Sequence, residues 1–308
     1  MRRTSLTVAL LLVASTSPIS SDDSVDYDFV NRLRAEGLHR SEVMEIIEHL
    51  TDAIGPRLTG SPGMKAANAW TRYQLEAWGL ENARVEPWGE FGRGWSYSRA
   101  SAHLIAPREM ALVILPIAWT PGTDGPVRGE VVRVEIESED DFEQYEGKLE
   151  SKILLVDEPR EITSGTEPAF ERRSREDLDE LMVFDIPDEG GEDWRKRRRK
   201  RWELAKKTRQ FFLDQKALAY VRISSRDNGM VRVGGGGSRE LDEDPGIPGV
   251  QMAAEHYNYL VRMTEDEKAA EIEIDVTSRF HDDDLMSYNT VAEIPGTDLR
   301  HEVVMLGA

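Results

Sequence analysis

The chain has 308 residues, no cysteine and a formal net charge of −19. That length accommodates two ordinary domains, or one domain carrying an insertion. The missing cysteines exclude disulfide scaffolding, thiolate catalysis and cysteine zinc ligands, so any bound metal would have to be held by His, Asp or Glu. The acidic surface disfavours nucleic acid and anionic membrane as partners.

The first twenty residues read as a separate object. Arg2 and Arg3 precede an apolar run over residues 6–14, and small and polar residues follow to Ser21. This is the layout of a secretory signal peptide, cleaved somewhere in residues 16–21. Such a run is too short to span a bilayer, which needs about 20 apolar residues. Its removal would take two cations away, −19 − 2 = −21, and would leave an exported, soluble chain.

Val25, Phe29, Val30 and Leu33 share one helical face, with Gly37 placed to end the helix. Ser41 is a candidate cap for a second helix that carries Val43, Ile46, Ile47 and Leu50 at core spacing. The segment Ile54-Gly-Pro-Arg-Leu-Thr-Gly-Ser-Pro-Gly63 reads as a rigid loop. Ser61 is the expected N-cap of a third helix and Pro62 its first residue, where a missing N–H costs nothing. Gly79 suits the left-handed position that stops this helix, and Leu80 can pack back onto it.

Beyond Leu80 the pattern shifts to short apolar runs at residues 83–88, 100–105, 112–117, 129–136 and 152–156, each predicted to be a strand. Residues 157–217 are highly charged. Trp194, Trp202, Ala205 and Phe212 fall at helical spacing there, so a long exposed helix with one buried stripe is expected. A strand over 219–223, a flexible glycine loop over 234–237, a helix over 250–260 and a strand over 270–276 follow. Strands over 288–294 and 302–307, joined by Pro295-Gly296, are predicted to form a hairpin. Helices, a β-rich middle and two final strands together suggest one domain opened by an inserted β-rich module.

Local motifs supply no catalytic constellation. The seven cations of residues 195–201 are read as a solvated helix face balanced by the acidic run before them. Residues 234–237 lack the Lys-Ser/Thr of a phosphate loop. His281, Asp282, Asp283 and Asp284 are read as an exposed acidic loop, because two neighbouring ligands do not make a zinc site. The histidines at 39, 49, 103, 256, 281 and 301 include no His-Glu-x-x-His pair, and no Gly-x-Ser-x-Gly elbow occurs.

Three stretches taken together resemble the carboxypeptidase Q-like branch of the di-zinc aminopeptidase family. They are residues 54–63 leading to Ala77-Trp78-Gly79-Leu80, residues 88–95 with Arg93-Gly94-Trp95, and the tail Asn289-Thr-Val-Ala-Glu-Ile-Pro-Gly-Thr297 followed by Val303-Val-Met-Leu-Gly-Ala308. Pro121-Gly122-Thr123, Gly147-Lys148-Leu149 and residues 153–156 look like the protease-associated domain inserted in this branch.

The resemblance implies an α/β fold, the N-terminal portion of a zinc-exopeptidase domain of the phosphorylase/hydrolase-like kind. The implied division is a signal peptide over 1–20, peptidase-domain helices and first strands over 21–108, the inserted protease-associated-like domain over 109–285, and the start of the peptidase core over 286–308. It implies an exported exopeptidase of carboxypeptidase or dipeptidase type, periplasmic or extracellular, using two zinc ions on dipeptides or short peptides. A second copy of the chain is a further candidate partner. In the family a His-x-Asp zinc-ligand sequence follows the strand that matches residues 303–308. No residue of this chain is therefore assigned a catalytic, cofactor-binding or metal role, and the chain by itself is expected to bind no zinc, to hydrolyse nothing and to fold poorly outside the inserted module. The alternatives are a non-catalytic exported binding protein built on the protease-associated module, and an exported binding protein unrelated to peptidases.

Overall fold

The computed structural model describes residues 25–163, 170–183, 191–266 and 268–307. The expected signal peptide lies outside them. Packing divides the chain into two units, one ending at Leu50 and one beginning at Thr51.

The first unit holds α1 (Tyr27–His39) and α2 (Val43–Glu48). Asp26 caps α1, accepting a hydrogen bond from the Phe29 N–H at 2.9 Å. Gly37 does not end the helix. Glycine costs only about 1 kcal/mol in a helix interior, so α1 runs on to a cap at Arg40. Ser41 accepts from the Val43 N–H at 3.3 Å, but the N-cap position of α2 belongs to Glu42. Neither helix buries a residue, so the apolar spacing of Phe29, Leu33, Val43 and Ile47 builds no core here.

A π-helical turn (His49–Ile54) leads into the second unit. There α3 (Pro62–Ala77) starts and stops as its sequence dictates. The Ser61 hydroxyl accepts from the Met64 N–H at 3.1 Å, and Pro62 is the first helical residue. At the other end Gly79 takes φ +86°, its N–H reaches Glu76 O at 2.9 Å, and the Leu80 N–H reaches Leu75 O at 3.1 Å. That pair of bonds is the Schellman closure.

Helix α3 packs on an antiparallel ribbon of β1 (Glu81–Glu90) and β10 (Met286–Glu293). The predicted C-terminal hairpin is not formed. Strand β10 pairs with β1 instead, and Val303, Val304, Met305 and Leu306 follow it outside any strand, fully in solvent.

Between the two ribbon strands the chain builds an eight-stranded mixed sheet of order β3-β2-β9-β5-β6-β7-β8-β4. Its strands are β2 (Gly94–Ala106), β3 (Met110–Leu112), β4 (Ile114–Pro116), β5 (Val127–Arg133), β6 (Lys152–Leu155), β7 (Ala219–Ile223), β8 (Gly249–Met252) and β9 (Glu271–His281). The single run predicted over 112–117 is thus two strands, broken at Val113, whose N–H goes to His256 Nδ1 at 3.0 Å. These two strands are the sheet's opposite edges. One residue bridges only a few ångströms, so the sheet must curl until its edges approach. The sheet also reaches back to Gly94 through the β2–β9 and β2–β3 pairings, across the expected 108/109 boundary.

Strands β5 to β8 run parallel and are covered on both faces. Ile153 and Leu155 join one core cluster with Val221, Met252, Ile272 and Tyr257, whereas Leu154 joins a second with Phe212, Tyr220 and Leu149. The helix expected over 250–260 is instead β8 followed by α6 (Ala254–Glu265), because Val250 and Met252 alternate into the sheet and helical spacing begins only at Ala254. The charged stretch contains α4 (Arg175–Leu181) and the long α5 (Gly191–Asp214). The stripe on α5 is buried only at its end: Phe212 is 4% exposed, but Trp202 is 55% exposed and Ala205 also faces solvent.

Candidate functional site

The loop over residues 54–63 holds its shape through glycines that touch backbone. Gly60 takes φ +75°, and a Cβ on it would stand 3.0 Å from the Gly94 Cα; a Cβ on Gly94 or Gly63 would collide with the carbonyl oxygen of Gly60 or Pro56. The loop therefore lies directly against the start of β2. There Trp95 is 1% exposed and donates from Nε1 to Thr120 O at 2.8 Å.

Between this loop, β2 and residues 232–233 lies a cleft of about 580 Å³, with Arg57, Ser61, Ser96, Tyr97 and Arg232 among its walls. The Arg57 guanidinium donates to Gly55 O at 2.8 Å. On the strand beside it, Ser96 Oγ and His281 Nε2 are hydrogen-bonded at 2.8 Å. Burial, reinforced by the Arg279 charge, pulls the His281 imidazole below its ordinary value, so it is neutral at pH 7. The cleft thus offers cations, hydroxyls and an aromatic wall, a set able to receive a carboxylate or an amide.

The neighbouring acidic residues lie in a loop, with Asp282 and Asp283 exposed as expected and Asp284 half-buried and tied down. Lys65 lies 3.1 Å from Asp284 and 3.7 Å from Asp283. Asp284 also accepts from the Met286 N–H at 3.1 Å and the Tyr288 hydroxyl at 3.2 Å. The Met286 bond, followed by Lys65, holds its carboxyl below the usual carboxylate range. His281 is hydrogen-bonded to Ser96, and these four residues do not form a group able to hold a metal ion.

The other histidines lie apart. His39 ends α1, His49 opens the π turn, and His103 sits on β2. His256 accepts from Val113, while His301 faces solvent 3.8 Å from Glu302. Among the described residues no group of three or more His, Asp or Glu could hold a metal ion. The described residues do not assemble a donor set for zinc. The glycines at 234–237 run beside Ala118 in a loop: Gly234 O accepts from the Ala118 N–H at 2.8 Å, and the Gly237 N–H donates back to Ala118 O at 3.2 Å. Residues 195–201 lie on α5. No described helix is long and apolar enough to cross a membrane.

Sequence reasoning missed Arg57, Ser96, Tyr97 and Arg232 as a group. Arg57 stood inside a motif read only as a rigid loop. Trp95 and Tyr97 carried an alternation that marks a strand but not its neighbours.

No family model matches the chain. It is similar to carboxypeptidase Q of Mus musculus, 24% identical over 279 residues, covering 89% of this chain and 50% of the mouse protein. Similarity to carboxypeptidase Q of Bos taurus is 29% over 128 residues, or 41% of this chain and 26% of the bovine protein. Among solved structures, the peptidase M28 precursor from Shewanella amazonensis superimposes with a TM-score of 0.52 at 21% identity, covering 87% of this chain and 54% of that one. The chain spans half or less of the curated relatives it matches. Its mixed α/β fold with a large sheet is that of the peptidase M28 structure.

Proposed function

We propose that this carboxypeptidase Q-like chain is the N-terminal portion of an exported, zinc-dependent exopeptidase acting on dipeptides or short peptides. The single observation that carries the reading is the match to mouse carboxypeptidase Q along 89% of the chain, together with the M28 fold. Coverage of only 50% of that relative fits a portion whose zinc ligands belong to further sequence. The eight-stranded sheet, built between β1 and β10 of one ribbon, fits an inserted protease-associated-like module. In this reading the ribbon and α3 begin the peptidase domain, and the cleft at Arg57 and Arg232 flanks the path of the peptide.

The test is hydrolysis of an unblocked dipeptide by the purified chain, with and without added zinc. No zinc-dependent turnover is expected from these residues alone. Turnover that a chelator abolishes would overturn the assignment of the metal site to sequence beyond them.

A second reading is a non-catalytic exported binding protein. It is favoured by strands β5 to β8 having both faces covered by the chain's own residues. Binding of a peptide by the chain, with no hydrolysis by the complete natural protein, would select it.

A further inference from the structure

A second and larger cleft, about 980 Å³, lies on the far side of the eight-stranded sheet from the core cluster that includes α6. It is built at the carboxyl ends of parallel strands. Val134 follows β5, Asp157 follows β6, and Arg222 is near the end of β7. Helix α5 forms one wall here, and residues 235–240 form the other.

Charge in this cleft runs against the rest of the molecule. Five arginines line it, at 198, 201, 209, 222 and 239, against three carboxylates, at 157, 240 and 243. Each carboxylate already has an arginine. Arg222 lies 3.1 Å from Asp157, Arg209 3.6 Å from Glu243, and Arg239 3.5 Å from Glu240. Glu243 is further held by Lys206 and Ser238, both at 2.7 Å, which lower its carboxyl below the usual range. That leaves Arg198 and Arg201 without a carboxylate among the described residues. They are three apart on α5 and so share a face. Arg198 rests on the Trp194 ring, 5.2 Å from its centroid. Trp202 and Phe212 on the α5 wall and Tyr220 on β7 give the cleft an aromatic lining. Burial raises the Tyr220 phenol to about 12, so it stays a neutral hydroxyl.

We propose that this cleft is a binding site for an acidic peptide segment carrying an aromatic or large apolar side chain beside its carboxylates. The two guanidiniums would take the carboxylates through paired N–H donors, and the aromatic lining would take the neighbouring side chain. The glycines at 235–237 leave that stretch of the wall without side chains, while Ser238, Arg239 and Glu240 line the rest. The glycine backbone approaches so closely that a Cβ on Gly236 would stand 2.7 Å from Ile117 Cγ2. An extended ligand can therefore lie along it. The chain as a whole carries −19, so an acidic peptide can be drawn only to local clusters of cations such as this one. The site is separate from the cleft at Arg57 and stands whether or not the peptidase reading holds.

The experiment is fluorescence anisotropy on the full chain, with a short fluorescein-labelled peptide alternating Glu and Phe. Its Gln-Phe counterpart and a labelled oligothymidylate serve as comparison probes. Saturable binding of the Glu-Phe peptide is expected, about tenfold tighter than the Gln-Phe peptide and weakened by salt. The double variant R198E/R201E should weaken it by at least about tenfold. R195E/R199E, which changes the charge equally on residues outside the cleft, should leave it within about twofold. R198K/R201K keeps the charge without the fork and should fall between the two. Circular dichroism of each variant confirms that α5 persists. No binding, equal loss in both Glu variants, or preference for the oligonucleotide would overturn the proposal.

Discussion

Gly94 at the head of β2 lies against Gly60 in backbone-to-backbone contact, leaving no room for a Cβ on either residue. Both glycines fall in segments that carry the family resemblance, and their contact explains what those segments do physically: they lock the 54–63 loop onto the strand that bears Trp95. Gly94→Ala should destabilise the second unit by about 1–3 kcal/mol, because the clash is with backbone rather than a yielding side chain. Gly79→Ala, at a positive φ but with open space around it, should cost only about 1 kcal/mol. Thermal unfolding of the two variants checks the order.

Ser61 is 2% exposed, and its hydroxyl accepts from the Met64 N–H. Ser61→Ala should cost about 1 kcal/mol by leaving a helix-terminal donor unmet. Ser61→Asp keeps an acceptor there and should recover part of the loss. Urea midpoints at unchanged slope would measure both.

Burial of His281, with the Arg279 charge beside it, sets a pH dependence. Folding depresses the His281 pKa below its ordinary 6.5, so near that pH the unfolded chain binds the extra proton and the folded chain does not. Stability from this group is fully present above pH 6.5 and is lost as pH falls through that value toward the folded pKa. His281→Asn should flatten the pH slope of unfolding between about pH 5 and 7. Denaturant unfolding at closely spaced pH values is the measurement.

The ribbon of β1 and β10 is two strands wide, with α3 packed on it. Two-stranded elements are marginal by themselves. Hydrogen exchange should therefore find the amides of β1 and β10 opening well before those of β6 and β7, which are buried on both faces. Uniform protection across both would contradict the division.

What the sequence disclosed was local chemistry. The Ser61-Pro62 start and the Gly79-Leu80 stop of α3 were readable because caps act within a few residues. Strand β7 was readable because its apolar run is short and cleanly bounded. Pairing over long separations was not. Glu81 opposes Glu293 in the ribbon, and nothing at residue 81 announces that partner, so the Pro295-Gly296 turn suggested a hairpin that does not form. Apolar spacing on α1, α2 and the first turns of α5 signalled a helical face without saying what, if anything, covers it. The clefts were the least legible. Arg57 and Arg232 meet only because the Gly60–Gly94 contact brings the loop to β2. Arg198 and Arg222 meet only because α5 crosses the strand ends.

The most direct test of the peptidase reading is to sequence the natural transcript past the codon for Ala308. A frame that continues into His-x-Asp and later supplies a Glu base with further Asp, Glu and His ligands is the expected result. A stop codon immediately after Ala308 would contradict it and leave a binding protein as the reading that remains.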